Sequence, residues 1–199
     1  MFRDAPEALL SAEEENLVVN AVAGRRREFA TGRACARRAL RTIGVPPVSI
    51  GSGRHGNPLW PDWVVGSITH CEGYRAAAVA RAGSIPSIGI DAEPAAPLPY
   101  GLVESIANPV ELRRLAALTD LDPNVPWDRL VFSVKESTYK AWFTLDQSSL
   151  SPKEIQAVVD PRRGTFLASV HRENPAIVFC GRWRIETGLL ITAASPLSG

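Results

Sequence analysis

Cysteine is scarce in this chain: Cys35, Cys71 and Cys180 are its three cysteines, and no two of them form a C-x-x-C pair. That spacing offers no disulfide framework and no zinc site, and it points to a reducing, cytoplasmic setting. Long apolar runs are also missing; the best, at 76–80, is only strand-sized, far short of a membrane span. The first residues, M-F-R-D-A-P-E, lack the basic start and apolar stretch of a signal peptide. Neither sign of charge is in excess, with 22 Lys+Arg against 21 Asp+Glu and a net charge of +1. No global field therefore argues for nucleic acid, and any anion recognition has to be local. Internal repeats and low-complexity tails are absent as well. What remains is an ordinary globular composition, 45% hydrophobic and 22% charged over 199 residues. That suffices for one large domain or for two lobes of about 100 residues each.

The pattern predicts a short acidic helix over 11–22, opened by Ser11 with Glu14 in capping-box position. Residues 25–43 read as a longer helix, with Phe29, Ala36, Leu40 and Ile43 on one face and Gly44 as its stop. Gly32 inside it suggests a close approach of the backbone to a neighbour. A Pro/Gly/Ser-rich loop over 46–63 precedes strands expected at 64–70, 75–82 and 87–93. The stretch P-A-A-P-L-P-Y-G at 94–101 is the natural connector between lobes, with three prolines in six residues. Beyond it come a helix over 108–118, capped by Asn108 with Pro109 at its first position, and a helix over 127–145. Strands at 154–159, 165–171, 176–186 and 188–194 close the chain. The expectation is an α+β protein of two similarly built lobes, 1–98 and 99–199.

Four groups of residues could carry chemistry. In S-I-G-I-D-A-E-P (87–94), alternation along an extended chain puts Asp91 and Glu93 on one face. Two such carboxylates repel unless a cation lies between them; a solvated strand end is the blander alternative. In F-S-V-K-E-S-T-Y-K (132–140), Glu136 and Lys140 share a helix face, which also describes an ordinary surface pair. The bracketing Phe132 and Phe143 favour partial burial, where a bare pair is costly. Asp91, Glu93 and Glu136 together are an all-oxygen donor set suited to magnesium or manganese, and magnesium with few protein ligands works alongside substrate phosphates.

The helix at 25–41 carries seven arginines (25, 26, 27, 33, 37, 38 and 41) and a single acid, Glu28. Its arginine forks suit phosphate monoesters, or else make a solvated basic face that touches RNA. In G-S-I-T-H-C (66–71), His70 and Cys71 face opposite sides of an extended segment and cannot serve each other as a hydrolase pair. Thr69 and His70 at a strand end are candidate donors to a diphosphate.

Five motifs in order, G-R-A-C-A-R-R-A-L (32–40), P-L-W-P (58–61), G-S-I-T-H-C (66–71), G-I-D-A-E (89–93) and F-S-V-K-E-S-T-Y-K (132–140), resemble the 4′-phosphopantetheinyl transferases. The resemblance is to the two-lobed monomeric kind serving siderophore, nonribosomal peptide and polyketide synthases, and it covers about residues 25 to 142. It implies two ferredoxin-like lobes related by a pseudo-twofold axis. It also implies transfer of the 4′-phosphopantetheine arm of coenzyme A to a serine hydroxyl of an apo acyl or peptidyl carrier protein, with 3′,5′-ADP released.

By motif match, Asp91 and Glu93 would hold Mg²⁺ together with the coenzyme's diphosphate. Glu136 would be a third ligand or the general base for the serine, and Lys140 would steady Glu136 and the transferring phosphate. Arg25 and Arg33 would meet the 3′-phosphate end, and Thr69 and His70 other phosphates. The family's carrier surface would fall around 100–126. One departure stands out: the loop before Pro58 carries no lysine, and Arg54 with His55 is the substitute expected there. Two rival classes use the same residues. One is a magnesium-dependent phosphohydrolase with water as nucleophile. The other is a non-catalytic carrier-protein or RNA-binding module, which leaves the acidic motifs without a task.

Overall fold

Ser11 caps α1 (Ala12–Leu17) in the computed structural model, which describes residues 4–5, 8–172 and 175–197. Its hydroxyl accepts from Glu14 N, and Glu14 answers at the Ser11 amide, completing the box that the spacing predicts. Glu14 is wholly buried; Arg37 donates to both of its oxygens at 2.8 Å, and Ile50 N donates at 2.9 Å. Arg37 belongs to α2 (Ala23–Thr42), so this fork fastens α1 and the Ile50 backbone to the long helix.

These elements belong to the first of two units into which the chain divides, Met1–Ile88. After α2 come the short paired strands β1 (Gly51–Ser52) and β2 (Pro58–Leu59), then the antiparallel hairpin of β3 (Val64–Cys71) and β4 (Tyr74–Arg81). Glu72-Gly73 turns the hairpin, with Gly73 at φ 72°, where a side chain would be strained. Buried Ala36, Leu40, Val45, Ile50 and Val64 form the core beneath α2. Trp60 closes it, its indole N–H donating to Gly66 O at 2.9 Å. A Cβ at Gly66 would stand 2.7 Å from that ring, so the P-L-W and G-S-I-T-H-C motifs are two sides of one contact.

The second unit, Gly89–Gly199, opens with β5 (Gly89–Pro94), followed by α3 (Leu102–Ile106), α4 (Pro109–Leu121) and α5 (Trp127–Asp146). A 3₁₀ turn (Pro152–Glu154) leads to β6 (Ile155–Asp160), β7 (Thr165–Val170), β8 (Ile177–Glu186) and β9 (Leu189–Pro196). The five strands form one antiparallel sheet in the order β5-β9-β8-β7-β6. Alternation along β7 sends Phe166, Ala168 and Val170 inward and Leu167 outward, and α5 covers the inner face with Leu130, Val134, Ala141 and Trp142.

The α+β reading therefore holds, with antiparallel sheets throughout. The boundary differs from the one expected near residue 98. The last strand of the first half, β5, pairs with β9, the last strand of the chain, from Gly89↔Ala194 to Pro94↔Leu189. Its ladder bonds carry it into the second unit, and the division falls between Ile88 and Gly89, ahead of the proline-rich stretch. Among the described residues no helix is long and apolar enough to cross a membrane.

Candidate active site

In the second unit, Arg129, Ser133, Glu136 and Lys140 follow one another at spacings of four, three and four along α5, so they form a single stripe. β5 lies against that helix. Gly89 makes the approach achievable: a Cβ there would run into Ser137 O and stand 2.7 Å from Ala141 N. From this contact the strand carries Asp91 and Glu93 along the stripe.

Asp91 is buried, with 4% of its surface exposed. Its Oδ1 accepts from Lys140 Nζ at 2.7 Å and its Oδ2 from Ser133 Oγ at 2.9 Å. Lys140 also donates to Ile90 O at 3.1 Å, and Ser133 sits 2.9 Å from Thr192 Oγ1 on β9. Glu93 Oε2 accepts from Arg129 at 2.8 Å, while Arg129 reaches Ala96 O at 3.0 Å and Pro97 O at 2.9 Å.

Burial, then the charge of Asp91, raises the Glu93 carboxyl against the opposing pull of Arg129 and Lys140. Glu136 is raised too, first by burial, then by Asp91 and, more weakly, by Glu93. Among the described residues it accepts no hydrogen bond. Glu93 and Glu136, both raised beside the Asp91 charge, make an under-neutralised cluster, the donor set a hard divalent cation relieves. The side chains as they stand form no closed cage: no three acidic, His or Cys groups among the described residues are gathered as a metal site. Lys140 and Arg129 instead neutralise two of the three acids.

The sequence expectation paired Lys140 with Glu136 one helical turn away. The structure puts Lys140 on Asp91, because β5 offers both a carboxylate and the Ile90 carbonyl within reach of the ammonium. Arg129 and Ser133 were not foreseen, although their spacing to Glu136 was in the sequence.

In the first unit a cleft of about 460 Å³ is lined by α2 residues Arg25, Glu28, Phe29 and Arg33 and by Ser52 and His70, among others. Arg33 is 5% exposed, and its guanidinium lies 4.2 Å above the centre of the Phe29 ring. It donates to Ile50 O at 2.8 Å, to Gly51 O at 3.1 Å and to Ser52 Oγ at 2.8 Å. Burial, with smaller effects from Arg37 and Arg25 against Glu14, lowers it to about 10, so it stays charged at neutral pH. Its main engagement is with the β1 backbone rather than with open space.

Alternation on β3 brings Ile68 and His70 to the cleft and buries Thr69 at 2% exposure, so the expected Thr69–His70 pair faces two ways. Arg54 and His55 are exposed on the turn between β1 and β2; Ser52 and Gly56 line the cleft, but those two do not. Arg25 donates to Glu28 Oε2 at 2.8 Å and approaches His70 Nε2 at 3.1 Å. Glu28 also faces His70 Nδ1 and the Arg75 guanidinium, each at 3.2 Å.

Comparison with known proteins places both units. The family model described as the 4′-phosphopantetheinyl transferase N-terminal domain matches residues 13–80, and that of the 4′-phosphopantetheinyl transferase superfamily matches residues 87–193. The chain is 48% identical over 201 residues to 4′-phosphopantetheinyl transferase Svp of Streptomyces mobaraensis, covering 96% of this chain and 82% of that protein. It is 43% identical over 194 residues to Npt of Nocardia iowensis, covering 90% and 86%. It is 39% identical over 203 residues to PptT of Mycobacterium tuberculosis, covering 97% and 88%. Family motifs, fold and relatives agree, and this chain belongs to the 4′-phosphopantetheinyl transferase superfamily as an enzyme that transfers the 4′-phosphopantetheinyl group.

Proposed function

We propose that the enzyme takes the 4′-phosphopantetheinyl group from coenzyme A and places it on a serine hydroxyl of an apo acyl or peptidyl carrier protein, in a magnesium-dependent reaction that releases 3′,5′-ADP. The observation that carries this reading is the carboxylate set of the second unit: β5 brings Asp91 and Glu93 to the α5 stripe that holds Glu136, and burial with the Asp91 charge raises the Glu93 and Glu136 carboxyls. Asp91, Glu93 and Glu136 would hold Mg²⁺. Bound there, it would neutralise charge on the diphosphate of the coenzyme.

The protein's own groups have separable tasks. Glu136, half-buried and with its carboxyl raised, is the group suited to accept the serine proton as the hydroxyl attacks phosphorus. Lys140 holds Asp91 in place and brings a cation to the transferring phosphate. Arg25 and His70 in the first-unit cleft take the phosphorylated nucleotide end. The carrier protein is read onto the α3–α4 segment, where Leu121 is 64% exposed at the rim of an apolar groove that includes Leu118 and Val158. Enterobactin synthase component D of Escherichia coli, 34% identical over 189 residues, directs the first choice of substrate to carrier domains of siderophore, nonribosomal peptide and polyketide assembly lines.

The test is to incubate the protein with coenzyme A, Mg²⁺ and a panel of apo carriers and to weigh the carriers by mass spectrometry. One added phosphopantetheine is expected. No mass gain on any carrier contradicts the proposal, and release of 4′-phosphopantetheine and 3′,5′-ADP without a carrier favours the phosphohydrolase.

A further inference from the structure

The helix with seven arginines carries one acid, and that acid lies in the cleft read above as a phosphate site. A carboxylate facing an incoming phosphate opposes it by like charge, so its presence there calls for a task. Its contacts supply one. Glu28 Oε2 accepts from Arg25 at 2.8 Å, and its Oε1 lies 3.2 Å from both His70 Nδ1 and Arg75 Nη2. Arg75 stands opposite His70 in the β3–β4 register, is 8% exposed, and is anchored to Cys71 O at 2.6 Å and paired with Asp4 at 3.3 Å. The cluster therefore joins α2 to both strands of the hairpin through one carboxylate.

The geometry also fixes the imidazole. Arginine can only donate, so the 3.1 Å contact between Arg25 Nη1 and His70 Nε2 makes Nε2 the acceptor. The proton then sits on Nδ1, facing Glu28 Oε1 at 3.2 Å. Burial pushes the Glu28 carboxyl up, but the Arg25 hydrogen bond and the charges of Arg75 and Arg25 outweigh it and leave it below its ordinary value. The carboxylate is therefore ionised and already compensated.

We propose that Glu28 is a positioning residue: it holds Arg25 directly and again through the Nδ1–H tautomer of His70, so that Arg25 stands ready at the cleft for a phosphate monoester. Ordering a half-exposed arginine before the ligand arrives removes an entropic cost from binding, and this outweighs the like charge because Arg75 and Arg25 neutralise it. The inference rests on reading the cleft as the site of the coenzyme's 3′-phosphate.

Two measurements test it. Long-range ¹H–¹⁵N spectra of the ligand-free protein are expected to show His70 as the Nδ1–H tautomer and Glu28→Gln as a mixture; an Nε2–H tautomer in the wild type overturns the proposal without using any variant. Calorimetric titration with coenzyme A and with dephospho-coenzyme A then reads the contribution of the monoester. In Glu28→Gln the preference for coenzyme A is expected to fall about tenfold, the scale of one charge-assisted hydrogen bond, with dephospho-coenzyme A affinity little changed. Glu28→Asp, which keeps the charge, is expected to fall between the two. A preference that stays or rises in Glu28→Gln overturns the positioning role alone, since the carboxylate would then merely oppose the anion. Equal binding of the two ligands by the wild type overturns the cleft reading and this inference with it.

Discussion

Lys140 Nζ lies 2.7 Å from Asp91 Oδ1, an ion pair between α5 and β5 whose length depends on a glycine two residues before the aspartate. At Gly89 the strand backbone touches the helix so closely that any Cβ would collide with Ser137 O. Replacing it with alanine forces strand and helix apart, and the Lys140–Asp91 and Ser133–Asp91 bonds stretch together.

Gly89→Ala is expected to destabilise the enzyme by about 3 kcal/mol, the upper end of ordinary overpacking, and to lower transfer beyond what unfolding explains. Urea denaturation and the rate at a temperature where the variant is folded separate the two. Wild-type stability in Gly89→Ala would mean the contact is looser than described.

Arg33 bridges α2 to the carbonyls of Ile50 and Gly51. Because an ammonium cannot reproduce a fork, Arg33→Lys is expected to lower stability by about 2 kcal/mol, read as a shift in the urea midpoint. An unshifted midpoint together with weakened coenzyme A binding would return Arg33 to the purely ligand-facing role that its sequence position suggests.

Lys135 and Glu111 form a buried pair at 2.8 Å, with Lys135 also donating to Ile106 O and Pro152 O and Glu111 accepting from Ala157 N. Lys135→Met strands the Glu111 charge and is expected to cost about 3 to 5 kcal/mol. Lys135→Met combined with Glu111→Leu is expected to recover part of that loss. Chemical denaturation of the single and double variants checks it, and additive losses would contradict a direct pair.

Glu28 supplies a pH dependence. Its carboxyl is held below the ordinary 4.5, so the folded state binds the proton less readily than the unfolded chain. The stability it contributes is present above pH 4.5 and is lost as pH falls through the lowered value. The difference in stability between wild type and Glu28→Gln should therefore shrink as the pH is taken from 6 down through that window. A gap that widens on acidification reverses the sign and contradicts the assignment.

Local structure was legible where one residue type has one physical reason to stand where it does. The Ser11–Glu14 box and the Asn108-Pro109 start of α4 both read directly into the fold. Partner choice was less legible. The i,i+4 spacing of Glu136 and Lys140 is real, yet a carboxylate 49 positions away in sequence wins the lysine, and no local pattern encodes that competition. Arg33 resembled Arg25 on the helix, but only the structure shows that one is enclosed beneath the β1 loop while the other opens to the cleft. β5 looked like the end of the first lobe because its neighbours in sequence are there; its ladder partner is the final strand. The Arg129–Ser133–Glu136–Lys140 stripe is encoded by spacing alone, whereas the strand that meets it is not.

The most direct test is the intact mass of an apo carrier protein after incubation with coenzyme A, using the wild type and Glu136→Ala, each with Mg²⁺ and with chelator. The account predicts one phosphopantetheine added by the wild type with Mg²⁺, and none with chelator or with folded Glu136→Ala. Full modification by Glu136→Ala, or by the wild type in chelator, would contradict the roles given to Asp91, Glu93 and Glu136.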